Sequence, residues 1–176
     1  MARIRKFAAY RSVERPYTRV SKFREKSFIR AIPHKNIVKY NMGHPNRQFG
    51  YKVNLVSKSA LQIRHNALES ARMSCNRFLE QSLGKGGYSL QIRPYPHHVL
   101  RENPLASGAG ADRMSTGMKK SFGKPIGAAA QIKRGQIVFS LDVNKSNLNV
   151  AKDALKRASQ KLPDSYTIDI IETPKK

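Results

Sequence analysis

The sequence predicts an α+β fold: a mainly antiparallel sheet with two helices, preceded by a basic arm and interrupted by one long loop. Three observations lead there. Segments with a two-residue apolar period and segments of helical period follow one another as strands, helix, strands, helix, strand. Residues 1–34 show neither period. Residues 102–124 hold turn formers in a stretch too long for an ordinary hairpin connection. A chain of 176 residues, 39% apolar, suits one modest core. The expected organisation is therefore a basic N-terminal extension over 1–34 and a single domain over 35–176.

The elements follow in order. The segments "NIVKYNMG" and "FGYKVNLVS" read as strands, the second with Tyr51, Val53 and Leu55 on one face, and "GHPNRQ" turns between them. Leu61, Leu68, Ala71, Cys75, Phe78 and Leu79 recur at helical steps and predict a helix over 59–83, with Ser59 and Gln62 as a capping box and Gly84 as its stop. Cys75 belongs to that apolar stripe. Tyr88 to Arg93 reads as a strand, Pro94 and Pro96 bend or edge it, and Val99 to Arg101 enters another. Beyond the long loop, "IGAAAQIK" and "QIVFSLDV" are strands joined by a turn at Arg134 and Gly135. A helix over 147–161, capped by Asn147 and ended by Pro163, presents Val150, Ala154, Leu155, Ala158 and Leu162. "SYTIDIIET" closes the sheet.

Charge narrows the function. The chain carries 34 lysines and arginines against 11 acids, a net of +23. By segment the net is +11 over residues 1–50, +5 over 51–100, +5 over 101–150 and +2 over 151–176. Such a chain repels itself unless a polyanion neutralises it. Charge spread this widely suits a protein embedded in nucleic acid rather than one tethered to a membrane by a short cluster. Arg3, Arg5, Lys6, Arg11, Arg15, Arg19, Lys22 and Arg24 interleave with Phe7, Tyr10, Tyr17 and Phe23. Arginine binds phosphate bidentately and aromatic rings stack on unpaired bases, so the arm is expected to order on RNA; a disordered basic tail is the plainer reading.

The long loop, "SGAGADRMSTGMKKSFGKP", invites a phosphate-loop reading that its spacing refuses. Asp112 stands where a Walker motif needs its first glycine, and Arg113 stands where a dinucleotide fingerprint needs its third. Ser107, Gly108, Gly110, Asp112 and Gly117 instead read as joints of a flexible finger, with Arg113, Lys119, Lys120 and Lys124 as its charges and Asp112 bonding turn amides or pairing with Arg113. His34, His44, His65, His97 and His98 have no metal-binding spacing, and nothing pairs a base with a nucleophile. His97 and His98 are adjacent and face opposite sides of a strand; either is a surface residue or a phosphate donor. No cofactor, metal, catalytic residue or membrane partner is expected. An RNA-modifying enzyme and a nucleic-acid chaperone are the alternatives; the first lacks any convergent acid–base or cofactor motif.

The segment "GADRMSTGMKKSFGKPIGAAAQIKRGQ" closely resembles the signature of the archaeal and eukaryotic large-subunit ribosomal protein L ten-e family, related to bacterial L sixteen. The likeness runs upstream through "SALQIRHNALESARMSCNRFLEQSLGKGGYSLQIRPYPHHVLRENPLASGAG", and more weakly through "IPHKNIVKYNMG". Length and C-terminus resemble an archaeal member. The resemblance implies an α/β-hammerhead fold with two helices on a sheet. It implies a cytoplasmic, non-enzymatic ribosomal constituent that binds large-subunit rRNA, lies beside neighbouring ribosomal proteins without forming a homo-oligomer, and helps position the acceptor arms of aminoacyl and peptidyl tRNA. The loop, about Arg101 to Gly123, would point toward the peptidyl transferase region. His98, Arg101, Gly110, Ala111, Asp112, Arg113, Thr116, Gly117, Met118, Gly123, Lys124 and Pro125 match motif positions, while Lys119 and Ser121 replace a frequent arginine and alanine.

Overall fold

The computed structural model describes residues 5–173. It is α+β and antiparallel throughout, but its strands form two sheets rather than one. In chain order the elements are β1 (Asn41–Gly43), β2 (Tyr51–Ser57), β3 (Leu61–Arg64), α1 (His65–Leu83), β4 (Tyr88–Ile92), β5 (His98–Glu102), α2 (Ala111–Met114), β6 (Lys124–Ile132), β7 (Ile137–Val143), α3 (Leu148–Ser159) and β8 (Tyr166–Glu172). A five-stranded sheet has the order β1-β4-β7-β2-β8, and a three-stranded sheet the order β3-β6-β5.

The two longer helices pack on each other and on the five-stranded sheet. Leu68, Ala71, Cys75 and Leu79 form the inner stripe of α1, and Ala151, Ala154, Leu155 and Ala158 that of α3. They close on Val53, Leu55, Tyr88, Leu90, Phe139 and Leu141 in one fully buried cluster. Each large apolar side chain buried there contributes about 1.5–3 kcal/mol relative to exposure. Phe78 is only partly buried and lies under Arg157, whose guanidinium carbon is 3.9 Å from the ring centre. The opposite face of the sheet carries a polar row, because the strand register aligns Asp169, Asn54, Ser140, Gln91 and Asn41.

Several sequence expectations are corrected. The first long helix begins at His65, not at 59, because Leu61–Arg64 pairs with Ile132–Ala129 as a strand. The capping box is therefore absent: the Ser59 hydroxyl donates to the Asp164 carboxylate, and the Gln62 amide reaches the arm. Only Asn41–Gly43 of "NIVKYNMG" pairs as a strand. Pro94 and Pro96 lie outside the strands, where the chain leaves β4, an interior strand, and crosses to β5, an edge strand of the other sheet. The turn at Gly135 likewise joins the two sheets, its N–H donating to Ser57 O at 2.9 Å. A 3-10 turn at Lys145–Asn147 precedes α3, and Asn147 makes no capping hydrogen bond through its side chain. Gly84 does end α1, with φ at 67° and its N–H on Glu80 O. The four-residue α2 lies inside the long loop.

Candidate nucleic-acid interface

The arm is irregular apart from 3-10 turns at Phe7–Tyr10 and Arg24–Lys26. A segment without a ladder must find other partners for its backbone, and here the three-stranded sheet supplies them. Gln62 Nε2 donates to Tyr10 O at 2.6 Å and Ser12 O at 3.1 Å, and Gln131 Nε2 donates to Glu14 O at 2.9 Å. Arg64 Nη1 donates to Arg5 O at 2.8 Å. The Val99 N–H donates to Tyr17 O at 3.0 Å, while the Tyr17 N–H donates to His98 Nδ1 at 2.8 Å. With its backbone held this way, the arm turns its cations outward: Arg5, Lys6, Arg11, Arg15, Arg19, Lys22 and Arg24 are all exposed. Arg3 lies outside the described residues. Rings back two of these cations, with Arg11 over Phe7 at 5.9 Å and Arg19 over Phe28 at 4.7 Å, and the neighbouring Lys26 lies over Phe23 at 5.2 Å.

The loop leaves the sheet after Glu102 and returns at Lys124, and those two residues form the last pair of the β5–β6 ladder. Closure there depends on Gly123. Its φ is +50°, and a Cβ would come within 2.9–3.1 Å of three backbone atoms of Glu102. Within the loop, Gly110, at a left-handed φ of 80°, precedes α2, and Asn103 Nδ2 donates to Gly117 O at 3.3 Å. Ser107, Gly108, Asp112, Arg113, Lys119 and Lys124 are exposed, as are Met114 at 83% and Met118 at 69%. The main chain of Lys120 ends a 3-10 turn that starts at Gly117. Among the described residues the Asp112 side chain forms no ion pair with Arg113 and no hydrogen bond, so neither local role expected of it is seen.

Arm and loop meet. Arg5 Nε donates to Glu102 Oε1 at 2.6 Å. Arg101 lies between two rings, 4.5 Å from Tyr17 and 3.9 Å from Phe122, and those rings meet edge-on at 5.7 Å. The sequence singled out Tyr17 and Arg101 separately but not Phe122, which joins them; its place directly before Gly123, at the end of a basic stretch, was the available signal.

Electrostatics separate structural from free groups. Among the described residues the ion pairs are Arg5–Glu102, Lys52–Asp142 and Arg72–Glu69, so most cations have no acidic partner within the chain. Burial pushes the Cys75 thiol up to about 12, which leaves it an inert core group. No cluster of three His, Cys, Asp or Glu side chains occurs among the described residues, and no helix among them is long and apolar enough to cross a membrane.

His98 is a clamp for the arm. Burial lowers its pKa, Glu14 opposes the shift and Arg101 adds to it. Its Nδ1 accepts the Tyr17 N–H and so cannot also carry a proton. The folded pKa lies below the unfolded value of about 6.5, so attachment is at full strength above that value. As pH falls from there through the lowered folded pKa, the released form binds the proton preferentially and attachment weakens. NMR titration should show His98 ionising below about 6.5, with the Tyr17 amide signal shifting in step; ionisation at or above that value would refute the clamp.

Comparison with known proteins gives a consistent picture. A family model described as ribosomal protein L16p/L10e matches residues 14–169. "Large ribosomal subunit protein uL16" of Methanococcus maripaludis strain S2 is 47% identical over 166 residues, covering 94% of this chain and 92% of the relative. The protein of the same name from Staphylothermus marinus is 47% identical over 148 residues, covering 84% of this chain and 82% of the relative. That from Picrophilus torridus is 46% identical over 151 residues, covering 85% and 86%.

Proposed function

The chain belongs to the ribosomal protein L16p/L10e family, and from that premise we propose how its two basic surfaces work in the large ribosomal subunit. It is a structural constituent of that subunit in the cytoplasm, not an enzyme, and its partners are large-subunit rRNA and neighbouring ribosomal proteins. The observation that carries the finer reading is the junction at Arg101, where the exposed cations of the arm and the base of the long loop are bound into one unit. Arm cations replace counterions on rRNA phosphates. The loop, with Arg113, Lys119, Lys120 and Lys124, reaches from that anchored base toward the acceptor arms of aminoacyl and peptidyl tRNA. The basic extension over 1–34, the hammerhead description of the domain over 35–176, and a protein that forms no homo-oligomer belong to the same reading. Family resemblance and unpaired charge support it.

Two measurements test it. Mass spectrometry of salt-washed subunits separated on a gradient should find the protein with large subunits; its absence from them would sink the assignment. Ultraviolet crosslinking of tRNA bound to ribosomes should join the acceptor arm to the loop between Asn103 and Gly123, and crosslinks confined to the arm would refute the role given to the loop.

A further inference from the structure

One of the cavities among the described residues combines aromatic walls with a basic rim. It lies between the arm and the loop base, has a volume of about 470 Å³, and is walled by the rings of Tyr17, Phe28 and Phe122. That volume lies in the range of about 300–1,000 Å³ typical of ligand pockets. Its rim carries Arg24, Arg30 and Arg101 against one acid, Glu25. Phe122 lies 3.9 Å from the Arg101 guanidinium, yet the residue remains 62% exposed, and Phe28 remains 57% exposed. Large rings this open on a folded protein mark a surface awaiting a flat apolar partner. Cations around them require that partner to be anionic.

We propose that this cavity holds one unpaired RNA nucleotide, its base stacked on Phe122 and its phosphate bound by Arg24 and Arg30. The inference rests on the rRNA-binding reading and sharpens it: this corner of the molecule recognises a single-stranded element. A duplex keeps its base faces stacked on each other and offers Phe122 nothing but an edge or a backbone. An unstacked base offers a whole face, and stacking on an aromatic side chain tolerates any base identity. Arg101 fixes the ring in advance, so little freedom is lost when the base arrives.

The full-length protein can be titrated into a short single-stranded RNA carrying one 2-aminopurine, and into a hairpin of equal length with that base paired. Stacking should quench the fluorescence of the single strand and leave that of the hairpin unchanged. Phe122→Leu, which keeps bulk and loses the aromatic face, should abolish the quench and weaken binding of the single strand by about 5- to 150-fold. Phe28→Leu, at a ring that also walls the cavity and is also more than half exposed, should weaken it in the same direction, and unchanged melting temperatures will show that both variants fold. Arg24→Gln with Arg30→Gln should preserve the quench while flattening the salt dependence. Quenching that survives both leucine variants, or that is equal for the hairpin, overturns the nucleotide pocket alone. Failure of the wild-type protein to bind either RNA overturns the rRNA reading along with it.

Discussion

Replacing Arg15, Arg19, Lys22, Arg24 and Arg30 by glutamine is expected to lower affinity for large-subunit rRNA by about a hundred- to ten-thousandfold at about 0.1 M salt, without lowering the melting temperature. These five are chosen because each is exposed and none has an acidic partner among the described residues. Arg5 is left in place, since its guanidinium already holds Glu102. Each phosphate neutralised contributes about 0.7–0.9 to the slope of log affinity against log salt, so losing five contacts should flatten that slope by about 3.5–4.5. The fold should tolerate this. The arm is fastened by its backbone, through Gln62, Gln131, Val99 and His98, and not by these side chains. One local cost is the contact of Arg19 with Phe28, worth about 0.5–1 kcal/mol at an exposed site. Against it, removing five like charges from a chain of net +23 relieves self-repulsion. Filter binding across a salt series measures the slope directly, and an unchanged slope would show that the arm cations do not neutralise phosphates.

The same features show what could be read in the sequence and what could not. Strands β2, β4 and β7 and the greater part of α1 and α3 are legible because each carries its period over five or more residues. The loop boundaries came within a residue or two for the same reason: periodicity stops after Glu102 and resumes at Lys124. Strand β3 was absorbed into α1 because four residues cannot distinguish the two periods. Leu61 and Ile63, two apart and both buried, were the trace of it. Division into two sheets left no local mark, since it depends on which strands meet across long separations, such as β2 with β8. Among the site residues, the cations of the arm were visible as composition. Their arrangement was not, because a hydrogen bond from Gln62 to Tyr10 O spans 52 residues and has no sequence signature. His98 shows the converse: a motif position marks the residue, but its hold on the arm, with Nδ1 accepting the Tyr17 N–H across 81 residues, left no trace in the sequence.

Phe139→Ala is expected to cost the free protein about 3–5 kcal/mol. Phe139 is fully buried on β7, the middle strand of the five-stranded sheet, and pairs in register with Leu55 on one side and Ile92 on the other. Alanine there would leave a void that neither neighbour can fill, because each is fixed in its own ladder. For a chain of this length the loss should lower the melting temperature by about 6–20 °C. Salt then acts in two opposed directions. Added to the free variant, it screens the net +23 and should recover part of the stability. Added to the RNA-bound variant, it weakens the association that holds the fold together and should lower the melting temperature. At low salt, RNA at a hundred times its dissociation constant should return about 2.7 kcal/mol, nearly all of the deficit at its lower end and about half at its upper end. Thermal melts with and without rRNA across a salt series would reveal the crossing. If salt shifted both melts in the same direction, the coupling of this basic fold to a polyanion would have to be abandoned.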